Sequence, residues 1–185
     1  MSDPPKLRMK TPEELEEARR RSSAQQDARE AIRAVGEQLP SNRKEYILKF
    51  LQEFRTDFLA DCNDPLELHF FATKWNRGYG VEPLLDVAGH SACDAGTALW
   101  LYWENDPYFY LRFRDLHDAE DDEERTMLEM SRLIERRITQ REFSSYSISF
   151  DPLHWIDDKY ANAAWAVHRI PDEMSRPIIA PENLT

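Results

Sequence analysis

The chain has 185 residues, of which 41% are hydrophobic and 11% aromatic, enough apolar material to bury a core and too much for a disordered chain. Its net charge of -11 gives a field that repels phosphate backbones, which argues against nucleic-acid binding. No apolar run reaches membrane-span length, two cysteines are too few for a disulfide framework, and Met1 to Lys10 lacks the apolar centre of a signal peptide; a cytoplasmic protein without membrane contact is expected.

Thr11-Pro12-Glu13-Glu14 announces the first helix: a cap, a proline at the first helical position, and an acid placed to close a capping box. The stretch to Val35 is rich in Glu, Arg and Gln, with a thin apolar stripe through Leu15, Ala18, Ala28, Ile32 and Val35. It predicts an exposed arm over residues 1–40, broken at Gly36 to Pro40. Ser41 is the expected cap of a core helix carrying Ile47, Phe50, Leu51, Phe54 and Phe58. Asp64-Pro65-Leu66-Glu67 repeats the start signature, and Leu68, Phe70, Phe71, Ala72 and Trp75 form the next apolar face. Asn76, Gly78 and Gly80 suit its C-terminal end, because they tolerate the left-handed backbone.

Glu82 to Ala88 reads as a short helix, and Asp94 caps another that runs to Trp103. Asn105-Asp106-Pro107 restarts the chain, and the aromatic segment that follows, Tyr108 to Phe113, fits helix or strand, with helix favoured by the Asp-Pro start. His117 to Glu124 reads as an acidic loop leading into an amphipathic helix with Met127, Met130, Ile134 and Ile138. The basic Arg136, Arg137 and Arg141 sit toward that helix's C-terminal end, where the macrodipole favours them. Tyr146, Ile148 and Phe150 alternate with Ser145, Ser147 and Ser149, a strand pattern that needs a partner, for which Ala166 to Ile170 is the candidate. Asp151-Pro152 opens a last predicted helix with Trp155, Ile156, Tyr160, Ala164 and Trp165. The fold expected is mainly α: a helical bundle with one short strand or small hairpin near residues 145–170. Residues 41–170 form the globular domain, and 171–185, with three prolines, an extended tail.

The chemistry-bearing residues are sparse. His90, Cys93 and Asp94 fall within five positions, but no second His or Cys cluster stands at zinc spacing, so no metal site and no cofactor is expected. Ser91, Cys93 and Thr97 lie near His90, yet there is no Gly-x-Ser-x-Gly elbow, and Gly78-Tyr79-Gly80 lacks the third glycine of a dinucleotide site. The run Asp118, Glu120, Asp121, Asp122, Glu123 and Glu124 lacks the glycine and spacing of a calcium loop and reads as a hydrated face.

Two stretches carry a family resemblance. The first is Leu68-His69-Phe70-Phe71-Ala72-Thr73-Lys74-Trp75-Asn76 with a following glycine turn; the second is Cys93-Asp94-Ala95-Gly96-Thr97-Ala98-Leu99 with Tyr102-Trp103. Residues 64–104 thereby resemble the bacterial family domain of unknown function 4274. Ile148 to Pro152 and Ile170-Pro171 are similar to the ends of its longer members. Arg77 stands where the family pattern leads one to expect an acid. The motif residues Trp75, Asn76, Gly78, Cys93, Asp94, Gly96 and Thr97 have an adequate structural explanation as core anchor, caps and close-approach positions. The resemblance implies no activity; its members are similar to small proteins encoded beside secreted toxins, which implies an immunity role.

The expected function is therefore non-catalytic binding of a basic protein partner, such as a toxin, through the acidic run, with Tyr108 and Tyr110 as anchors if exposed. Residues 61–185 hold 12 basic and 24 acidic side chains, so the whole charge excess lies there. The alternatives are an enzyme with a dispersed site near His90 and Asp94, or an assembly module joined through the N-terminal helix.

Overall fold

The computed structural model describes residues 11–157, 160 and 163–181. Six α-helices are described: α1 (Pro12–Gly36), α2 (Ser41–Gln52), α3 (Pro65–Lys74), α4 (Glu82–Gly89), α5 (Ala95–Glu104) and α6 (Asp122–Thr139). The fold is mainly α, as the patterning predicts. Helix α3 packs against both α1 and α2, and α6 packs along α4 and α5. Ile47, Leu68, Phe70, Phe71, Leu84, Leu99, Leu101, Tyr102, Leu128, Met130 and Ile134 are fully enclosed between them. A smaller cluster of Tyr110, Phe113 and Leu128 lies under the 3-10 turn Phe109–Arg112.

The start signals act as their chemistry requires. Thr11 accepts the Glu14 N–H while Glu14 reaches back to the Thr11 N–H, a complete capping box. Asp64 caps α3 through the Leu66 N–H at 2.9 Å, and Asp121 caps α6 through the Glu124 N–H at 2.8 Å. At α2 the cap position is Pro40 and no side chain caps the helix; Ser41 is already helical. That helix ends at Gln52, so Phe54, at φ +53°, and Phe58 are not on its face. Phe58 enters the core from the 3-10 turn Asp57–Asp61, and Phe54 stacks on Tyr79 with ring centroids 3.8 Å apart.

Helix α1, expected as an exposed arm, is exposed along most of its length. Its C-terminal half docks: Ile32 is 3% exposed, and the α-carbon of Gly36 lies so close to Phe70 that a β-carbon there would be crowded. Arg29 pairs with Glu104 at 2.7 Å and Arg21 with Asp157 at 3.0 Å. Both buried positions of the helix, Ile32 and Gly36, lie in its last two turns. Leu15, near the start, stays 46% exposed.

The alternating segment after α6 is extended but does not pair with Ala166 to Ile170. Ser145 forms a parallel bridge with Asp94, and Phe150 an antiparallel bridge with Ile178. The Val167 and His168 N–H groups instead donate to the Leu111 carbonyl. The described part of the extended tail, 171–181, is anchored on the core: it holds the 3-10 turn Asp172–Ser175, and the carbonyl of fully buried Met174 accepts the Trp103 indole N–H at 2.8 Å. The helix expected from Asp151 falls partly on positions outside the described residues; the described part turns at 153–155 and buries Trp155.

Candidate functional site

Asp94, fully buried, is the most heavily bonded side chain of the family-like motif. Its Oδ1 accepts the Gly96 N–H at 2.8 Å, which caps α5, and the Ile148 N–H at 3.3 Å. Its Oδ2 accepts the Ser145 hydroxyl at 2.5 Å, the Ser147 N–H at 2.7 Å and the Ser147 hydroxyl at 3.1 Å. One carboxylate thus starts a helix and clamps the extended segment 145–148 onto it. Gly96 is required beside it, because a β-carbon there would run into the Ile148 carbonyl. Cys93, also fully buried, has its thiol pushed up to about 12 by burial, and Cys62 is pushed up to about 11 for the same reason.

Thr97 explains a residue that the sequence reading passed over. Its hydroxyl lies 2.9 Å from Nδ1 of His69, whose Nε2 lies 2.7 Å from the Ile32 carbonyl. A carbonyl only accepts, so Nε2 carries the proton and Nδ1 accepts from Thr97. His69 is fully buried, and burial depresses its pKa, so the neutral ring ties α1, α3 and α5 together. Its neighbours Phe70 and Phe71 are the sequence signal that this histidine belongs to the core.

Trp75 is buried, and its indole N–H donates to the Gly80 carbonyl at 2.8 Å, closing the turn after α3. Asn76 accepts the Gly78 N–H at 3.0 Å from an ordinary extended backbone; of Asn76, Gly78 and Gly80, the last alone, at φ +97°, uses the left-handed region. Arg77, the departure from the family pattern, donates to the Glu104 carbonyl at 3.0 Å. It supplies a cation to the C-terminal end of α5, where unpaired carbonyls favour one.

The residues expected for an enzymatic site are not brought together as such. His90 is half-buried at the end of α4, and its Nδ1 accepts the Ala92 N–H at 3.1 Å. Thr97 is turned to His69, and both Asp94 oxygens are engaged by the clamp. The carbonyls of Ala88 and His90 take the guanidinium of buried Arg137, which lies 4.0 Å over the Phe143 ring. Among the described residues, no three His, Cys, Asp or Glu side chains converge as a metal-binding group.

The acidic run forms an exposed face at the start of α6. Asp118 accepts the Arg114 and Asp115 N–H groups, which hold its carboxyl below the usual range. Glu124 accepts the Glu120 N–H at 2.9 Å and faces Arg112 at 3.8 Å, and Asp122 pairs with Arg125 at 2.5 Å. Glu120, Asp121 and Glu123 are exposed and form no ion pair among the described residues. Of the two expected aromatic anchors, neither is free. Tyr110 is 5% exposed, donates to the Met127 sulfur and is pushed up to about 12 by burial. Tyr108 is half-buried, and its hydroxyl accepts the Asp157 N–H at 2.6 Å. The segment is a 3-10 turn rather than a longer helix, and the accessible ring is Phe109, 37% exposed with the Arg112 guanidinium 4.0 Å above it.

Beside this face, Phe109, Tyr110 and Met127 wall a depression of about 360 Å³ with acids at its rim. A second, of about 430 Å³, is lined by Tyr108, Phe109, Arg112, Tyr160 and Trp165. Asp106 and Phe109 line both.

Residues 63–139 match the family model described as Domain of unknown function (DUF4274). The match runs from just before the α3 cap to the last residue of α6, so it takes in the acidic run as well as the two motifs. Comparison with curated proteins finds no match. Comparison with solved structures finds none either. No helix of the described residues is long and apolar enough to cross a membrane.

Proposed function

We propose that the chain acts by binding, and that it captures a basic protein partner through the acidic face at the start of α6. The observation that carries this reading is the accessibility of Asp121 and Glu123 beside a partly exposed aromatic ring, Phe109, with Glu120 and Asp122 exposed next to them in the chain. Acids in such a position speed encounter with a basic surface and fix its register, and the ring supplies apolar contact area. The residues that would promote an enzymatic reading are engaged in the fold instead: Asp94 in the clamp, Thr97 with His69, Cys93 sealed in the core. The resemblance to domain of unknown function 4274 gives the finer form of the proposal, a cytoplasmic immunity protein whose partner is a toxin.

The test is affinity capture from the source organism with the tagged chain and with Asp121→Lys/Glu123→Lys as paired baits, washed at low and then high salt. One stoichiometric basic protein, held by the wild type, released by salt and lost from the variant, is the expected result. Equal retention of the same protein by both baits would remove the acidic face from the account.

A further inference from the structure

Three arginines of the fold are held in one way, between an aromatic ring and a carboxylate. Arg29 lies 5.7 Å over the Trp155 ring and bonds Glu104 at 2.7 Å. Arg43 lies 4.8 Å over Tyr46 and bonds Glu67 at 2.8 Å. Arg112 lies 4.0 Å over Phe109 and faces Glu124 at 3.8 Å. A planar guanidinium suits this arrangement, because its face stacks on a ring while its edge donates to an acid.

The depression of about 430 Å³ beside the 3-10 turn Phe109–Arg112 offers the same two parts with no arginine seated on them. Tyr160 and Trp165 line it and are 44% and 52% exposed. Tyr108 backs Tyr160, with ring centroids 5.1 Å apart. Arg112 also lines the depression, but it is engaged by Phe109, Phe113 and Glu124, so the open rings are Tyr160 and Trp165. Exposed Trp and Tyr rings that converge in one depression mark an interaction surface. The acid is Asp106, which is exposed, lines the depression and has no cationic partner among the described residues. With Arg112 facing Glu124, the uncompensated charge here is negative and calls for a cation. We propose that this depression seats one arginine side chain of the partner protein, stacked on the Tyr160 and Trp165 rings and forked onto the Asp106 carboxylate. Arginine suits it better than lysine, because a compact ammonium neither stacks nor forks. The assignment rests on the reading of the chain as a binder of a basic protein, and it names one contact of that interface outside the α6 acids.

The experiment titrates the isotope-labelled full chain with the N-acetyl N-methylamides of arginine, citrulline, lysine and phenylalanine, and follows the amide and indole NMR signals. Saturable shifts at Asp106, Tyr108, Phe109, Tyr160 and the Trp165 indole are expected with the arginine compound. Lysine should bind more weakly, and citrulline, which has the same shape without the charge, about tenfold more weakly, since the charged hydrogen bonds to Asp106 are lost. Trp165→Ala and Asp106→Asn should each weaken arginine binding by about tenfold. Both positions are exposed, and asparagine tolerates the φ of +49° at position 106, so the fold should survive either change. Citrulline or phenylalanine binding as tightly as arginine, lysine binding more tightly, shifts spread evenly over other acidic surfaces, or no saturable shift would overturn the proposal. Capture of the basic partner by Trp165→Ala/Asp106→Asn at undiminished affinity would overturn this site while leaving the proposed function standing.

Discussion

Replacing Asp94 by alanine tests the clamp on which the α5–segment 145–148 junction depends. The substitution strips the acceptor from three backbone N–H groups, those of Gly96, Ser147 and Ile148, and from two serine hydroxyls. Each buried donor left unpaired costs about 1–3 kcal/mol, and the hydroxyls can rotate to other partners. Three such donors would give an upper sum that water entry reduces, so a loss of about 3–5 kcal/mol is expected. That is a large share of the roughly 5–15 kcal/mol that holds a domain of this kind folded. Urea unfolding followed by tryptophan fluorescence and far-ultraviolet circular dichroism measures it. Ser147→Ala, which removes a hydroxyl but keeps the backbone donor, should cost only about 1 kcal/mol. A loss below about 1 kcal/mol for Asp94→Ala would refute the clamp, since the unpaired donors alone exceed it.

Three more outcomes follow from the packing. Ile32→Ala should cost about 2–4 kcal/mol in the same unfolding assay, whereas Leu15→Ala, at the exposed end of α1, should stay within about 0.5 kcal/mol. Cys62 and Cys93, buried and with thiols raised by burial, should resist iodoacetamide at pH 8 in the folded chain and react in urea, as read by mass spectrometry. His69 has a folded-state pKa below its unfolded value, so the unfolded chain binds the extra proton; stability should fall as pH drops below about 6.5, with a slope approaching about 1.4 kcal/mol per pH unit. His69→Gln should flatten that slope between pH 6.5 and 5, and urea midpoints across this range provide the check.

Much of this was legible in the sequence where a local rule acts alone. The caps Thr11, Asp64 and Asp94 bond the N–H groups that their positions predict, because capping involves only the first turn of a helix. The serine alternation was a true signal with a different cause: Ser145 and Ser147 donate to Asp94. The pattern read as a strand because extended backbone is needed for both roles. What stayed hidden depends on contacts distant in sequence. The thin stripe of helix α1 predicts an exposed helix but not where it docks, which Arg29 with Glu104 and Ile32 with His69 decide. Tyr110 looked like a surface anchor, but the 3-10 turn points it at Met127 and leaves Phe109 outside.

The most direct test of the binding account is the association rate constant of the captured partner, measured by stopped flow between low and high ionic strength. Wild type should be compared with Asp121→Lys/Glu123→Lys and with a control reversal on the exposed part of α1, Glu16→Lys. The account predicts at least a tenfold slower rate and a flattened salt dependence for the α6 variant alone, consistent with roughly ten- to thousandfold steering effects. A rate and salt slope unchanged in that variant, or altered as much by Glu16→Lys, would contradict it.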